Sequence, residues 1–131
     1  MKRIAAGWIA LALGAGLALA DADHDHDVHD HEPRHGGLLV HSGDHHLELV
    51  AAGGTIDLYV TQPDGQEKDV SGAKATATVL ANGKTETVPL APAGANLLKG
   101  TGAFNAGKDT TVVISLTMPG HAPEQTRFRL D

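Results

Sequence analysis

The sequence predicts an all-β fold, an immunoglobulin-like antiparallel β-sandwich of about seven or eight strands behind a signal peptide and a His/Asp-rich segment. Beyond residue 36, apolar residues alternate with polar residues in short runs, as in strands with one buried face. Turn signals rich in Gly, Pro, Asn and Asp separate these runs. No long run there has the 3.6-residue apolar spacing of a helix. A chain of 131 residues has room for one such domain.

The first twenty residues predict a secretory signal peptide. Lys2 and Arg3 give a positive start to an apolar run over residues 4–19. The run ends at Ala18-Leu19-Ala20, which fits the small-x-small rule, so we expect cleavage after Ala20. An uncleaved membrane anchor is the alternative, because the run is only slightly shorter than a spanning helix. Export of a chain without Cys indicates the periplasm and a domain that depends on its packed core.

Residues 21–35 form a segment of six acidic residues, five His and one Arg. It has no apolar face to bury, so it cannot offset the entropy lost on ordering, and we expect it to be disordered without a ligand. The predicted organisation is therefore a signal peptide at 1–20, a His/Asp-rich metal-binding tail at 21–35 and a β-sandwich domain at 36–131.

The strands of this domain can be placed in order. Two short runs flank the sequence Ser42-Gly43-Asp44, Pro63-Asp64-Gly65 is a turn, and Asn82-Gly83 is the strongest hairpin signal in the chain. Pro89 indicates a strand edge or end. The core is expected to contain Val, Leu, Ile and Ala, with Phe104 and Phe128 as its largest side chains. The predicted strands are Leu38–His41, His46–Ala51, Thr55–Thr61, Ala73–Ala81, Thr85–Leu90, Asn96–Thr101 with a short piece at Phe104, Thr111–Met118 and Gln125–Leu130.

Histidine is the unusual component of this sequence. Eight of the nine His fall between His24 and His46. In the tail they alternate with carboxylates, and neutral imidazole with carboxylate suits Zn, Ni, Co and Cu(II). We therefore predict that the tail binds divalent transition metals with modest affinity, falling as His protonates near pH 6–6.5. A solvated acidic tail with incidental His is the alternative. The predicted tail ligands are His24, His26, His29, His31 and His35.

The first hairpin predicts a more ordered site. If Gly43-Asp44 is a two-residue type II′ turn, His41 lies opposite His46 and Leu39 opposite Glu48. These four then share one face, with the imidazoles about 5 Å apart at Cβ, and His45 points the other way. The leucines and valine of the hairpin form a core stripe on the opposite face. His41, His46 and Glu48 are the predicted ligands, and a pair of exposed His without a metal is the alternative.

The sequence gives little support for nucleic-acid binding, catalysis or copper binding by Met118 and His121. The net charge of −6 and four aromatic residues argue against nucleic-acid binding. The absence of Cys excludes thiolate nucleophiles and Cys-ligated zinc. Ser42, Asp44 and His45 crowd one tight turn without room for an oxyanion hole, so we expect no enzyme activity. Met118 and His121 could bind copper, although Met118 is in phase with core residues of its strand.

Several segments together resemble a family of small periplasmic proteins. They are Arg34-His35-Gly36-Gly37, residues 43–50, residues 56–61, residues 73–80 and residues 89–94. Similar domains are associated with heavy-metal efflux systems, including extensions of the adaptor subunits of tripartite pumps. The resemblance covers about residues 34–130 and implies a β-sandwich linked to metal efflux. It implies candidate ligands at His35, His46 and Glu48.

These observations predict a non-catalytic periplasmic module that binds divalent transition-metal ions, as a buffer or as a delivery protein for an efflux complex. The partners would be metal ions and periplasmic components of a pump, with no nucleic acid and no membrane insertion after cleavage. Two alternatives stay open. One is a structural module that pairs with an envelope partner through an edge strand, and the other is a copper chaperone.

Overall fold

The computed structural model describes residues 32–130, which form seven β-strands and no helix. The predicted signal peptide with its cleavage after Ala20, and tail residues 21–31 with His24, His26, His29 and His31, lie outside this described range. Within residues 32–130, no helix is long and apolar enough to cross a membrane. The strands are β1 Leu38–Ser42, β2 His45–Thr61, β3 Lys74–Ala81, β4 Lys84–Pro92, β5 Leu97–Ala106, β6 Thr110–Thr117 and β7 Glu124–Leu130.

All the strands pair antiparallel in the order β1-β2-β5-β4-β3-β6-β7, which confirms the predicted all-β antiparallel class. The first four in this order and the last three follow the strand order of the two immunoglobulin sheets. Strand β4 joins the two sets, so pairing is continuous from β1 to β7. The outer strands β1 and β7 also approach each other, and the sheet is nearly closed.

Strand β4 changes partner near Pro89. Residues 84–90 pair with β3, and Ala91 and Pro92 pair with Lys99 and Leu98 of β5. Pro has no N–H to donate, and so it suits the point where a strand leaves one ladder. Sequence analysis placed a strand edge or end at Pro89, whereas the strand continues through it to a second neighbour.

Two tight turns have the conformations that their residues predict. Asn82 and Gly83 both have positive φ, 54° and 76°, and the flanking Ala81 and Lys84 are paired, as in a type I′ hairpin. Gly43 has φ 58°, and Ser42 pairs with His45, so Gly43-Asp44 is the two-residue turn that was predicted. These turns set the registers of β3 with β4 and of β1 with β2.

Strand β2 includes two predicted strands and bends sharply between them. A straight strand would separate residues 46 and 61 by about 50 Å. The Thr61 hydroxyl nevertheless donates to the His46 carbonyl oxygen at 3.5 Å. The bend lies at Gly53-Gly54, where Gly53 has φ 58° and the register with β5 shifts. The bend brings the two ends of β2 together and thereby positions the histidine-rich end of the domain.

The core contains residues from β2 to β7. The inward residues of β2 and β6 follow the predicted alternation, and Met118 and Phe128 are buried with them. Two expectations need correction: Phe104 is only partly buried, and Leu38 at the start of β1 is 39% exposed. The largest fully buried side chains are Phe128, Leu47, Leu49, Ile56, Leu58, Leu98, Ile114, Leu116, Met118, Val60, Val70 and Val79.

Candidate metal centre

The β1–β2 hairpin has the register that the sequence predicts. His41 lies opposite His46, and Leu39 lies opposite Glu48. Burial differs from the expectation, because residues 45–49 of β2 are buried on both faces. His46 and Glu48 therefore do not lie on an open surface, although His41 is exposed. Arg34, His35 and Gly37 contact Glu48 on one face, and Glu124 and His121 contact His45 on the other.

Glu48 is the hydrogen-bonding centre of one face. Its carboxylate accepts three backbone N–H bonds at 2.8 to 3.0 Å, from Arg34, His35 and Gly37. The Nδ1 atom of His35 lies 2.9 Å from the Glu48 Oε1 atom and makes a fourth bond. Arg34 and His35, the last two residues of the predicted tail, are thus fixed against β2. Glu48 was predicted as a ligand, and in the structure its carboxylate accepts hydrogen bonds from the backbone and ring of His35.

The two glycines after His35 explain how the chain reaches Glu48. Gly36 has φ 75°, a conformation that L side chains rarely adopt. Gly37 lies so close to β2 that a Cβ atom would overlap the Leu49 carbonyl. A larger residue at either position would move the preceding amides away from the carboxylate. Sequence analysis noted His35-Gly36-Gly37 as a motif without deriving this reason.

The environment of Glu48 favours its ionised form. Burial by itself raises the pKa of a carboxyl group, but here the hydrogen bonds outweigh it. The His35 side chain and the amides of Gly37, His35 and Arg34 together hold the pKa of Glu48 below its usual range. The carboxylate is therefore a charged hydrogen-bond acceptor at neutral pH.

The ring of His35 is fixed on two sides. It stacks on Tyr59 with ring centroids 3.6 Å apart and planes 4° from parallel. Since an ionised carboxylate only accepts hydrogen bonds, the Nδ1 atom facing Glu48 carries a proton. In the neutral ring, the Nε2 atom then has the lone pair that can bind a metal. The His35 side chain is 40% exposed, so solvent reaches this ring.

His41 and His46 are brought together, but as a stack. Their centroids are 4.1 Å apart and their planes are 2° from parallel. A metal bound by an imidazole lies near the plane of that ring, on the axis of the nitrogen lone pair. Two stacked rings with parallel planes share no such point, so one ring must turn before both can bind one ion. The predicted pairing is present without the orientation that shared coordination needs.

The opposite side of the hairpin contains contacts that sequence analysis missed. The buried His45 places Nδ1 3.2 Å from Glu124 Oε2 at the start of β7. Its ring also meets His121 edge to face, with centroids 5.4 Å apart. His121 was considered only with Met118, which belongs to the core. No sequence signal connects His45 to Glu124, because they are 79 residues apart.

Among residues 32–130, no three His, Cys, Asp or Glu side chains are already arranged to hold a metal ion. The described candidates fall into three separate contact groups. His35 and Glu48 are together, His41 and His46 are stacked, and His45 meets Glu124 and His121.

The chain was compared with known proteins. No protein-family model, no curated protein and no solved structure matches it. Proposals about its function therefore depend on the chemistry of its own residues.

Proposed function

We propose that this protein binds divalent transition-metal ions in the periplasm without catalysing a reaction, and buffers them or delivers them to an efflux complex. The tail histidines and His35, with His41 and His46 on the hairpin, are the proposed ligands. Zn, Ni, Co and Cu(II) are the candidate ions, because imidazole and carboxylate suit all four. The single observation that carries the proposal is the oriented ring of His35 at the junction of the tail and the domain.

His35 has the features of a histidine prepared for coordination. Metal-binding His commonly donates its other ring N–H to a carboxylate, which fixes the tautomer and the ring direction. Glu48 makes this contact at 2.9 Å, and the stack on Tyr59 restricts ring rotation. Glu48 acts in this proposal as the orienting group, while the Nε2 atom of His35 binds the ion.

The remaining ligands come from nearby in the sequence. His31 and His29 precede His35 by four and six residues. A chain of four residues spans at most about 14 Å, so the sequence itself keeps His31 within that distance of His35. The acidic residues among the tail His raise the local concentration of cations. His35 thus offers a fixed first ligand to which the tail adds others.

Calorimetric titration of the chain without residues 1–20 with Zn, Ni, Co and Cu(II) tests the proposal. At neutral pH we expect binding that competes with a weak chelator. Glu48→Gln should weaken the tightest site about 10–100-fold, as loss of an orienting carboxylate does. His35→Ala should weaken it at least as much.

Arg34→Ala is the matched control, because Arg34 is adjacent to His35 and its side chain packs over Gly65. We expect it to leave the affinity unchanged. Failure of all four ions to bind would end the proposal. Binding that His35→Ala leaves unaltered would remove His35 from the site.

A further inference from the structure

A second group of polar side chains lies where the β1–β2 turn meets β7. Ser42 and Thr126 share a hydrogen bond across this seam, and His45 and Glu124 make another. His121, in the connection between β6 and β7, touches the ring of His45. The proposed function above uses none of these residues. They combine two imidazoles and one carboxylate, a ligand set that zinc and related ions take.

The separations within the group match those of ligands on one ion. With metal–ligand bonds of about 2.0–2.1 Å, two ligand atoms on a tetrahedral ion are about 3.3 Å apart. His45 Nδ1 and Glu124 Oε2 are 3.2 Å apart. An ion could therefore replace the shared hydrogen bond with little movement of either side chain.

The two imidazoles also have a suitable geometry. Two histidine rings on one tetrahedral ion have centroids about 5.2 Å apart when the bonds are about 2.0–2.1 Å. The centroids of His45 and His121 are 5.4 Å apart, and their planes cross at 66°. Crossing planes share a line on which one ion can lie in the plane of both rings. The stacked pair of His41 and His46 has no such line.

The Glu124 carboxylate has one oxygen atom that could still bind a ligand. The Glu124 side chain is 15% exposed, and its Oε1 atom is buried without a hydrogen-bond partner among residues 32–130. An unpaired buried acceptor destabilises the fold, and a bound cation would satisfy it. His45 is buried beside it, whereas His121 is exposed in a turn that includes Gly120 with φ 78°. The exposed ring can turn toward the other two side chains.

We propose that His45, His121 and Glu124 form a second binding site for one divalent transition-metal ion of the zinc class. The three side chains do not yet converge on one point. The His121 ring must therefore turn before all three can bind the ion. This site joins the β1–β2 turn to the β6–β7 connection, and so a bound ion stabilises the seam that nearly closes the sheet. The site is independent of the tail and of His35.

Thermal unfolding of the chain without residues 1–20, with and without saturating Zn²⁺, is the test. An ion that binds only the folded state raises Tm, here by at least about 4 °C. His121→Ala should abolish the part of that rise that this site contributes and remove one equivalent of bound Zn²⁺. Because His121 is exposed, this variant should have the same Tm as the parent chain without metal.

Two controls separate this site from the other one. His41→Ala removes an exposed histidine of the same hairpin, and replacing His24, His26, His29 and His31 by Asn removes tail ligands. Both variants should retain the part of the Zn²⁺-dependent rise in Tm that His121→Ala abolishes. If His121→Ala keeps the full rise and the same number of bound ions, the second site does not exist. Loss of the rise in either control would also overturn it, by assigning the stabilising ion to the tail or the His41 face.

NMR gives a readout that does not depend on stability. Saturating Zn²⁺ should shift the amides near residues 43–45 and 120–124, and His121→Ala should remove those shifts. Shifts limited to the amides near residues 34–37 would support the proposed function and overturn the second site. Shifts limited to the amides near residues 43–45 and 120–124 would support the second site and overturn the proposed function.

Discussion

Strand β6 and the first part of β2 differ in what lies on their outer faces. In β6 buried and half-buried residues alternate without exception, and every buried residue from Val112 to Leu116 is apolar. In β2 the five residues 45–49 are all buried, and three of them are His45, His46 and Glu48. Both strands contribute to the same core. The difference in burial therefore arises on the faces that point away from the core, and where the β1–β2 turn meets β7.

The difference shows how polar residues become buried in this protein. The outer-face residues of β6 are half-buried, and alternation separates them from its buried core side. On β2, His35 packs over Glu48, and the bend brings Thr61 to the His46 carbonyl. Hydrogen bonds replace the water that the polar groups lose. Stability should therefore depend on apolar volume in β6 and on hydrogen-bond satisfaction in β2.

The largest effect is expected in the apolar region. Ile114→Ala removes a fully buried side chain in β6, and we expect a loss of about 2–5 kcal/mol in the free energy of unfolding. Val113→Ala, the adjacent residue on the half-buried face, should cost less than about 1 kcal/mol. Urea unfolding of both variants measures the contrast. Equal losses would contradict the division of β6 into a core face and an outer face.

A slightly smaller loss is expected in the polar region. Glu48→Gln replaces an acceptor-only carboxylate with an amide whose NH2 group faces backbone donors, and it should cost about 2–4 kcal/mol. Glu86→Gln is the matched control, because Glu86 accepts the Ala103 N–H at an exposed position. Its cost should stay below about 1 kcal/mol in the same urea experiment. If Glu48→Gln left the free energy of unfolding unchanged, the hydrogen-bond network around Glu48 would not stabilise this face.

Acid should remove the stabilisation that ionised Glu48 gives to the folded protein. Its pKa is lowered in the folded protein, so the stabilisation is fully present above the ordinary Glu pKa of about 4.3. It is lost as the pH falls through the lower, folded-state pKa. Unfolding free energies measured from pH 7 to pH 3 should therefore show the parent chain and Glu48→Gln converging below about pH 4. A gap that stays constant to pH 3 would contradict the assigned charge.

The smallest effect compares one turn from each region. Gly83→Ala places a side chain at φ 76° in open space, and it should cost about 1 kcal/mol through backbone strain alone. Gly43→Ala has a similar φ, but its Cβ would lie 2.9 Å from the Glu124 carboxylate. We expect about 2 kcal/mol there, measured by urea unfolding. Equal costs would mean that the Glu124 side chain moves aside freely.

The sequence predicted those parts of the fold that depend on neighbours along the chain. Asn82-Gly83 and Gly43-Asp44 predicted their turns, and the second fixed the pairing of His41 with His46. Alternation predicted the core side of β6. The role of Glu48 was not predicted, because its three amide donors precede it by 11 to 14 residues in a segment without a strand pattern. The stacked orientation of His41 and His46 also could not be read from their register.

The sequence by itself determined the antiparallel strands, the tight turns and the concentration of His near one end of the chain. These features follow from local backbone preferences and from the two-residue period of a strand. Only the tertiary structure decided that β2 bends, that Glu48 holds His35, and that His45 meets Glu124 across the seam. Such contacts join residues that no local pattern connects, because they form only when the sheet curls and buries polar groups that then require partners.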